Sequence, residues 1–263
     1  MKMNKKWLNL IPYFVISVAA IVLIVFVGKI PLRTAATGTV GKEIPKIESA
    51  AFIIEGNPDA NVTIVEFYDP ACPYSFRFDN TTLPLILEKY VNTGKVRLVI
   101  RAFPLERIHP NAFDASMYLD CVYAYTNLSE YLKARKLLYI RRREWMHAAG
   151  DNLTKILLNT LYFDESTYNG IVDCYLNKVT AGYVRNDYMI GRVYGVIGTP
   201  SIVIVVPKEL LDEKELTEIE QHFARIYNRN YTVFKDPYGR YLVPLIGALP
   251  FEEIDFILQR VFS

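Results

Sequence analysis

Apolar positions fall in short unbroken runs towards the two ends of the chain's globular part and at helical spacing in between. Val62-Thr63-Ile64-Val65-Glu66-Phe67-Tyr68 has the length and β-rich content of a buried strand, and Asn57-Pro58-Asp59-Ala60 ahead of it is turn chemistry. Val96 to Phe103 is a second such run. Between them a helical pattern opens at Pro73 and reaches about Asn92. Pro84 is placed to bend it, and Asn92-Thr93-Gly94 to stop it. Strand, helix and strand make a βαβ unit, for which a right-handed crossover is expected.

From His109 to about Tyr194 the period changes. Phe113, Met117, Cys121, Tyr125 and Leu128 recur at threes and fours, followed by Leu132, Leu138 and Trp145, then Ile156 to Leu161 and Tyr168 to Leu176. This predicts several short helices inserted into an α/β fold, with a further helix near Ala181 to Tyr194. Ser201 to Val206 is again strand-like, Lys208 to Tyr227 is a charged amphipathic helix, and Tyr231–Phe234 and Tyr241–Ile246 form a hairpin across Asp236-Pro237-Tyr238-Gly239. Pro250 to Phe262 closes the chain as a helix. Pro200 directly precedes a strand expected to lie beside Val62–Tyr68, which opens the possibility of a cis Thr199-Pro200 bond, and the missing N–H leaves neighbouring backbone groups free for a bound peptide.

One apolar run is of another kind. From Leu8 to Ile30 it is long enough, at about 1.5 Å per residue, to cross a hydrocarbon core of about 30 Å. Lys2, Lys5 and Lys6 in front of it place the N-terminus in the cytoplasm and the remainder outside, in a cell membrane crossed once. A cleaved signal peptide is the competing reading, with Ala35-Ala36 as a weak site, but the run exceeds the usual h-region of about 7 to 15 residues. Residues 31–50, rich in Thr, Gly, Lys and Glu, read as a tether, which leaves residues 51–263 as the folded domain with its helical insertion at about 105–194. The sequons at Asn61, Asn80, Asn127, Asn152 and Asn230 are candidate glycosylation sites, in keeping with an outward domain.

With 263 residues and 51% hydrophobic content the chain has enough material for a sizeable core. A net charge of +2 gives no field to recruit nucleic acid, and Arg141-Arg142-Arg143 reads as a solvated helix face. His109, His147 and His222 lack metal-ligand spacing, so neither a metal site nor a cofactor is expected.

The chemistry gathers at Asp69-Pro70-Ala71-Cys72-Pro73-Tyr74-Ser75. Pro73 suits the first helical position, which puts Cys72 at the N-cap. Free N–H groups and the positive end of the helix dipole favour an anion there, and the thiolate is the reactive form of cysteine. Glu66 precedes Cys72 by six residues. It is either an acid at an exposed strand end or a partly buried carboxylate that exchanges protons with the thiol.

Taken in order, Val65-Glu66-Phe67-Tyr68-Asp69 before Cys72-Pro73-Tyr74, His109-Pro110-Asn111-Ala112-Phe113, Gly195-Val196-Ile197-Gly198-Thr199-Pro200 and Gly247-Ala248-Leu249-Pro250-Phe251 resemble the DsbA-like thiol–disulfide oxidoreductases, over about Ala51 to the C-terminus. The resemblance implies a thioredoxin fold with a helical insertion, Cys72 as nucleophile, a cis Pro200 that contacts substrate, and Glu66 buried beneath the site. The departure is at Ser75, where the family carries its second cysteine. Ser75 cannot store or resolve a disulfide, although its hydroxyl could donate to the Cys72 thiolate.

Cys121 and Cys174 complete the set. They form a structural disulfide, which would close a loop of about 54 residues and stabilise by about 4 kcal/mol on the chain-entropy model, or stay as buried thiols, or supply a resolving thiol for Cys72. The leading expectation is a membrane-anchored, extracytoplasmic oxidoreductase acting through one cysteine in isomerisation or reduction. Its partners would be client proteins with thiols or disulfides and a redox partner or small thiol in trans. The rivals are a redox-inactive chaperone or peptide-binding scaffold, and a dithiol oxidase that uses Cys121 or Cys174.

Overall fold

A computed structural model describes residues 44–263, which form one compact unit. The apolar run at Leu8–Ile30, expected to cross a membrane, lies outside the described residues, and no helix among the described ones is long and apolar enough to cross a membrane. Six strands form one mixed sheet: β1 (Ile53–Glu55), β2 (Val62–Tyr68), β3 (Val96–Ala102), β4 (Ser201–Val206), β5 (Phe234–Lys235) and β6 (Tyr241–Ile246), in the spatial order β1-β3-β2-β4-β6-β5. Only β2 and β3 run parallel, as their helical crossover requires; the other neighbours are antiparallel. β2 is central and all seven of its residues are buried, which is why its sequence does not alternate.

The crossover helix is broken. α1 (Pro73–Thr81) ends at Thr82, α2 (Leu83–Ile86) restarts with Pro84 in its first turn, and a π turn over Leu87–Val91 follows. Pro84 has no N–H to continue the ladder of α1, and the Thr82 hydroxyl instead donates to the Leu249 carbonyl at 2.8 Å. Gly94 then leaves the helical region at φ +76°.

Between β3 and β4 stand α3 (Ala112–Tyr125), α4 (Leu128–Ile140), the single turn α5 (Arg142–Trp145), α6 (Gly150–Leu158), α7 (Glu165–Leu176) and α8 (Ala181–Val193). α9 (Glu213–Tyr227) and α10 (Phe251–Val261) follow later. The sheet separates two clusters of buried side chains. The larger takes the crossover, α3, α4, α7 and α10 together with the β2 residues Val62, Ile64 and Tyr68; the smaller joins Val65, Phe67, Phe103 and Val203 to Ile190 of α8. α8 reaches β3 closely because Gly191 carries no Cβ: one there would lie 2.6 Å from the Phe103 ring.

Three expectations need correction, and one strand has no counterpart among them. The fold begins before Ala51. Ile47 is fully buried among Val65, Phe67 and Ile190, and the Arg101 guanidinium donates to the carbonyls of Ile47 (2.8 Å) and Ser49 (2.6 Å), so the last residues of the expected tether are part of the domain. β1, which adds an antiparallel edge beside β3, was too short to stand out as a pattern. The helix expected from Lys208 starts at Glu213, where Asp212 and Glu215 exchange side chain-to-backbone hydrogen bonds at 2.8 Å in a capping box. In the hairpin only Phe234 and Lys235 pair; the N–H of Val233 donates to Glu220 instead.

Candidate active site

Strand register brings distant segments to one end of the sheet. Tyr68 pairs with Ala102 in the parallel direction, Phe67 with Ser201, and Ser201 with Ile246. The segments leaving β2 and β3, the one entering β4 and the one leaving β6 therefore meet there. These are Asp69–Cys72, Phe103–Ile108, Thr199–Pro200 and Gly247–Pro250, and the Gly247 N–H donates to the Pro200 carbonyl at 2.9 Å.

Cys72 caps α1 with an extended backbone, and Pro73 occupies the first helical position. Cys72 is only 5% exposed, and its thiol donates to the Thr199 carbonyl at 3.2 Å, next to the cis Thr199–Pro200 bond. Tyr74, 59% exposed, stands at the surface beside it. Cys72 is the free cysteine of the described residues. Cys121 of α3 and Cys174 of α7 are joined in a disulfide across the helical insertion, so neither sulfur is available to Cys72 in this structure.

Ser75 differs from expectation in what it touches. Its side chain is 2% exposed, and its oxygen accepts from the Asp69 N–H at 3.3 Å; no hydrogen bond joins it to Cys72. One residue therefore organises the loop. The Asp69 carbonyl accepts from the Cys72 N–H (3.1 Å), and its carboxylate accepts from Ala71 N–H and Leu105 N–H, both at 2.7 Å. Nδ1 of His109 lies 3.1 Å from the same carboxylate. Asp69 thus fixes the turn below Cys72 and ties it to the segment after β3.

Glu66 is fully buried, which removes the exposed-strand-end reading, and it is not alone. Arg135 of α4 donates to Oε1 of Glu66 at 2.7 Å and to Oδ1 of Asp79 at 2.6 Å, while its guanidinium lies 3.8 Å from the centre of the Tyr68 ring. Two carboxylates share one cation. Burial with Glu66 nearby outweighs the pull of Arg135 and pushes Asp79 up to about 8, well above the ordinary carboxylate range. Close by, the buried hydroxyls of Tyr68 and Tyr131 and Oδ2 of Asp120 have no hydrogen-bond partner. Burial holds the Asp120 carboxyl well above the ordinary carboxylate range, and Asp187 adds to the push.

Arg135, Asp79 and Asp120 escape notice in the sequence, and Asp69 stands out there only as the first residue of the Cys72 stretch, with no role of its own. The available signal for Arg135 was its place on the stripe Tyr131–Ala134–Arg135–Leu138, whose members are all buried. The five sequon asparagines, Asn61, Asn80, Asn127, Asn152 and Asn230, are all exposed, but Asn127 already serves as the N-cap of α4 by accepting from Glu130 N–H at 3.1 Å.

A parallel βαβ core, antiparallel flanking strands, a helix-capping cysteine and a cis proline facing it define a thioredoxin-type protein with a helical insertion. The family model described as Thioredoxin matches residues 49–218, more than half of the chain, and the chain belongs to that family. Its fold is that of DsbA proteins: it is similar to the crystal structure of Wolbachia pipientis alpha-DsbA1 (TM-score 0.52, 19% identity, 80% of this chain and 89% of that one) and to oxidised BdbD from Bacillus subtilis (TM-score 0.51, 15% identity, 80% and 92%). Among curated proteins it is 23% identical over 153 residues to a Rickettsia conorii protein named "Putative protein-disulfide oxidoreductase", covering 58% of this chain and 52% of the relative. The chain thus spans about half the length of the curated relatives it matches.

Proposed function

We propose that this protein is a thiol–disulfide oxidoreductase that acts on protein disulfides through Cys72 alone. The observation that carries the reading is the free Cys72 sulfur at a helix N-cap, facing the carbonyl before a cis proline, with the other two cysteines bonded to each other. The Cys72 thiolate attacks a client disulfide. A Cys72–client bond forms, the client's S–S bond breaks, and the departing sulfur leaves with the electron pair and takes up a proton. Attack by a second client thiol releases Cys72 with no net oxidation, which is isomerisation; release by two equivalents of a small thiol reduces the client and oxidises the small thiol. Thr199 and Pro200 hold the client strand, Pro73 and Tyr74 shape the entrance, and Ser75 braces the loop through Asp69.

The apolar run Leu8–Ile30 behind Lys2, Lys5 and Lys6 supports an anchor that keeps the domain outside a cell membrane, with the N-terminus in the cytoplasm. Residues 1–30 are then the anchor, the stretch up to about Glu43 the tether, and the rest the working domain.

The test is recovery of activity from ribonuclease with scrambled disulfides, in a glutathione buffer, by the parent and by Cys72→Ala. Recovery with the parent and loss in the variant is expected. Client binding that survives Cys72→Ala, with no exchange by either protein, would instead mark a redox-silent binding module. Retention of the full chain in alkali-washed membranes tests the anchor.

A further inference from the structure

Beside the Cys72 loop the surface folds into a groove of about 740 Å³, within the range of ligand sites. One wall is the segment after β3, Pro104 to Ile108; the other is α8 with Arg185, Tyr188 and Met189; Ile197 closes the end nearest the cis proline. Its apolar side chains are unusually uncovered: Ile197 is 79% exposed, Ile108 65% and Met189 57%. The walls are firm. Phe103 stacks on Tyr188 at 4.7 Å over Gly191, and the Leu105 N–H is held by Asp69.

Two observations say what fits. The groove adjoins the Cys72 site, because Ile197 is two residues from Thr199, and Asp69, whose carbonyl accepts from the Cys72 N–H, also accepts from the N–H of Leu105 in the groove wall. Its charge is also unbalanced: Arg107 and Arg185 meet no carboxylate among the described residues, and the groove contributes only Glu106 in return. Arg185 lies over the Phe113 ring, 5.6 Å from its centre, which keeps the guanidinium at the groove wall.

We infer that this groove receives the client segment next to the reacting cysteine, and that it selects segments pairing apolar side chains with acidic ones. The inference rests on the proposed function and adds a substrate preference to it. Apolar side chains cover Ile108, Met189 and Ile197, while a carboxylate meets Arg185 or Arg107 at the rim, where complementary charge chiefly raises the association rate.

The test uses fluorescein-labelled peptides whose single cysteine is a mixed disulfide with thionitrobenzoate. Cys72 attacks the peptide sulfur, the S–S bond to the aryl sulfur breaks, and the coloured aryl thiolate leaves with the electron pair, the better leaving group of the two. One peptide flanks its cysteine with Leu, Phe, Asp and Glu; a second has Lys for the acids; a third has Ser for the apolar residues. The uncharged 2,2′-dipyridyl disulfide, an aryl disulfide with neither a carboxylate nor a peptide segment, reports exchange without a groove ligand. The first peptide is expected to react at least about tenfold faster than either of the others. Arg185→Glu should close or reverse the gap between the first two, and Met189→Ser should slow both, with the aryl disulfide rate unchanged.

Equal peptide rates beside intact aryl disulfide exchange overturn the inference and leave the proposed function standing. Failure of the aryl disulfide reaction sinks that function, and the groove is then decided by fluorescence anisotropy with the same peptides carrying Ser for Cys, where equal binding overturns it. Self-association abolished by Met189→Ser would give the groove to a second copy of the chain and also overturn it.

Discussion

The chain holds sulfur in two settings that share almost nothing. Cys72 sits at the end of the sheet where segments from four parts of the sequence converge, as an N-cap with a backbone carbonyl for company. Cys121 and Cys174 lie in the C-terminal halves of two helices that pack on each other, bonded together, fully and almost fully buried. The first setting leaves a sulfur with neighbours that can be exchanged for a substrate. In the second, the sulfurs have already found each other and surrounding side chains keep thiols out. On the proposed function, reactivity follows from this placement, since all three are the same residue type.

That contrast is open to attack at several points. The largest effect expected is from Cys72→Ala, which should bring thiol–disulfide exchange down to the uncatalysed level while leaving the denaturant midpoint almost unmoved; residual exchange would mean that the sealed pair takes part. Next is Arg135→Ala. It leaves Glu66 and Asp79 buried beneath the loop without their cation, so unfolding in urea should show a loss of about 3–5 kcal/mol. Third, the double substitution Cys121→Ala/Cys174→Ala should cost about 2–4 kcal/mol in the same experiment and leave the exchange rate per folded molecule unchanged.

The smallest effect is a slope. The folded protein keeps a proton on Asp120 that the unfolded chain gives up from about pH 4 upward, so the native state binds more protons and stability falls as pH rises through that window. Asp120→Asn cannot lose that proton. Its stability should decline less between pH 4 and neutrality than the parent's, read from urea midpoints at half-unit intervals; equal slopes would show that Asp120 ionises normally.

What the sequence could and could not convey follows the same division. Cys72, Pro73 and the Thr199–Pro200 turn were legible because each is a local statement: a proline that fits one helical position, a thiol ahead of it, a proline ahead of a strand. The orientation of Ser75 was not, since its bond to Asp69 depends on how the turn closes. Arg135 reads as a surface residue until its neighbours on the buried stripe are counted. Ile47 stands between lysine and glutamate in a stretch without apolar periodicity, and the cluster that receives it is made by Val65, Phe103 and Ile190, residues far apart in the chain. β1 has three residues and is a strand only because β3 offers it an edge.

The most direct measurement is a thiol map of the full chain isolated without reductant: alkylation of free cysteines, proteolysis, and mass spectrometry of the disulfide-linked peptides. The account predicts a Cys121–Cys174 cross-link, with Cys72 alkylated or carrying a small thiol or client peptide. A cross-link from Cys72 to Cys121 or Cys174 would contradict it and make the protein a dithiol enzyme.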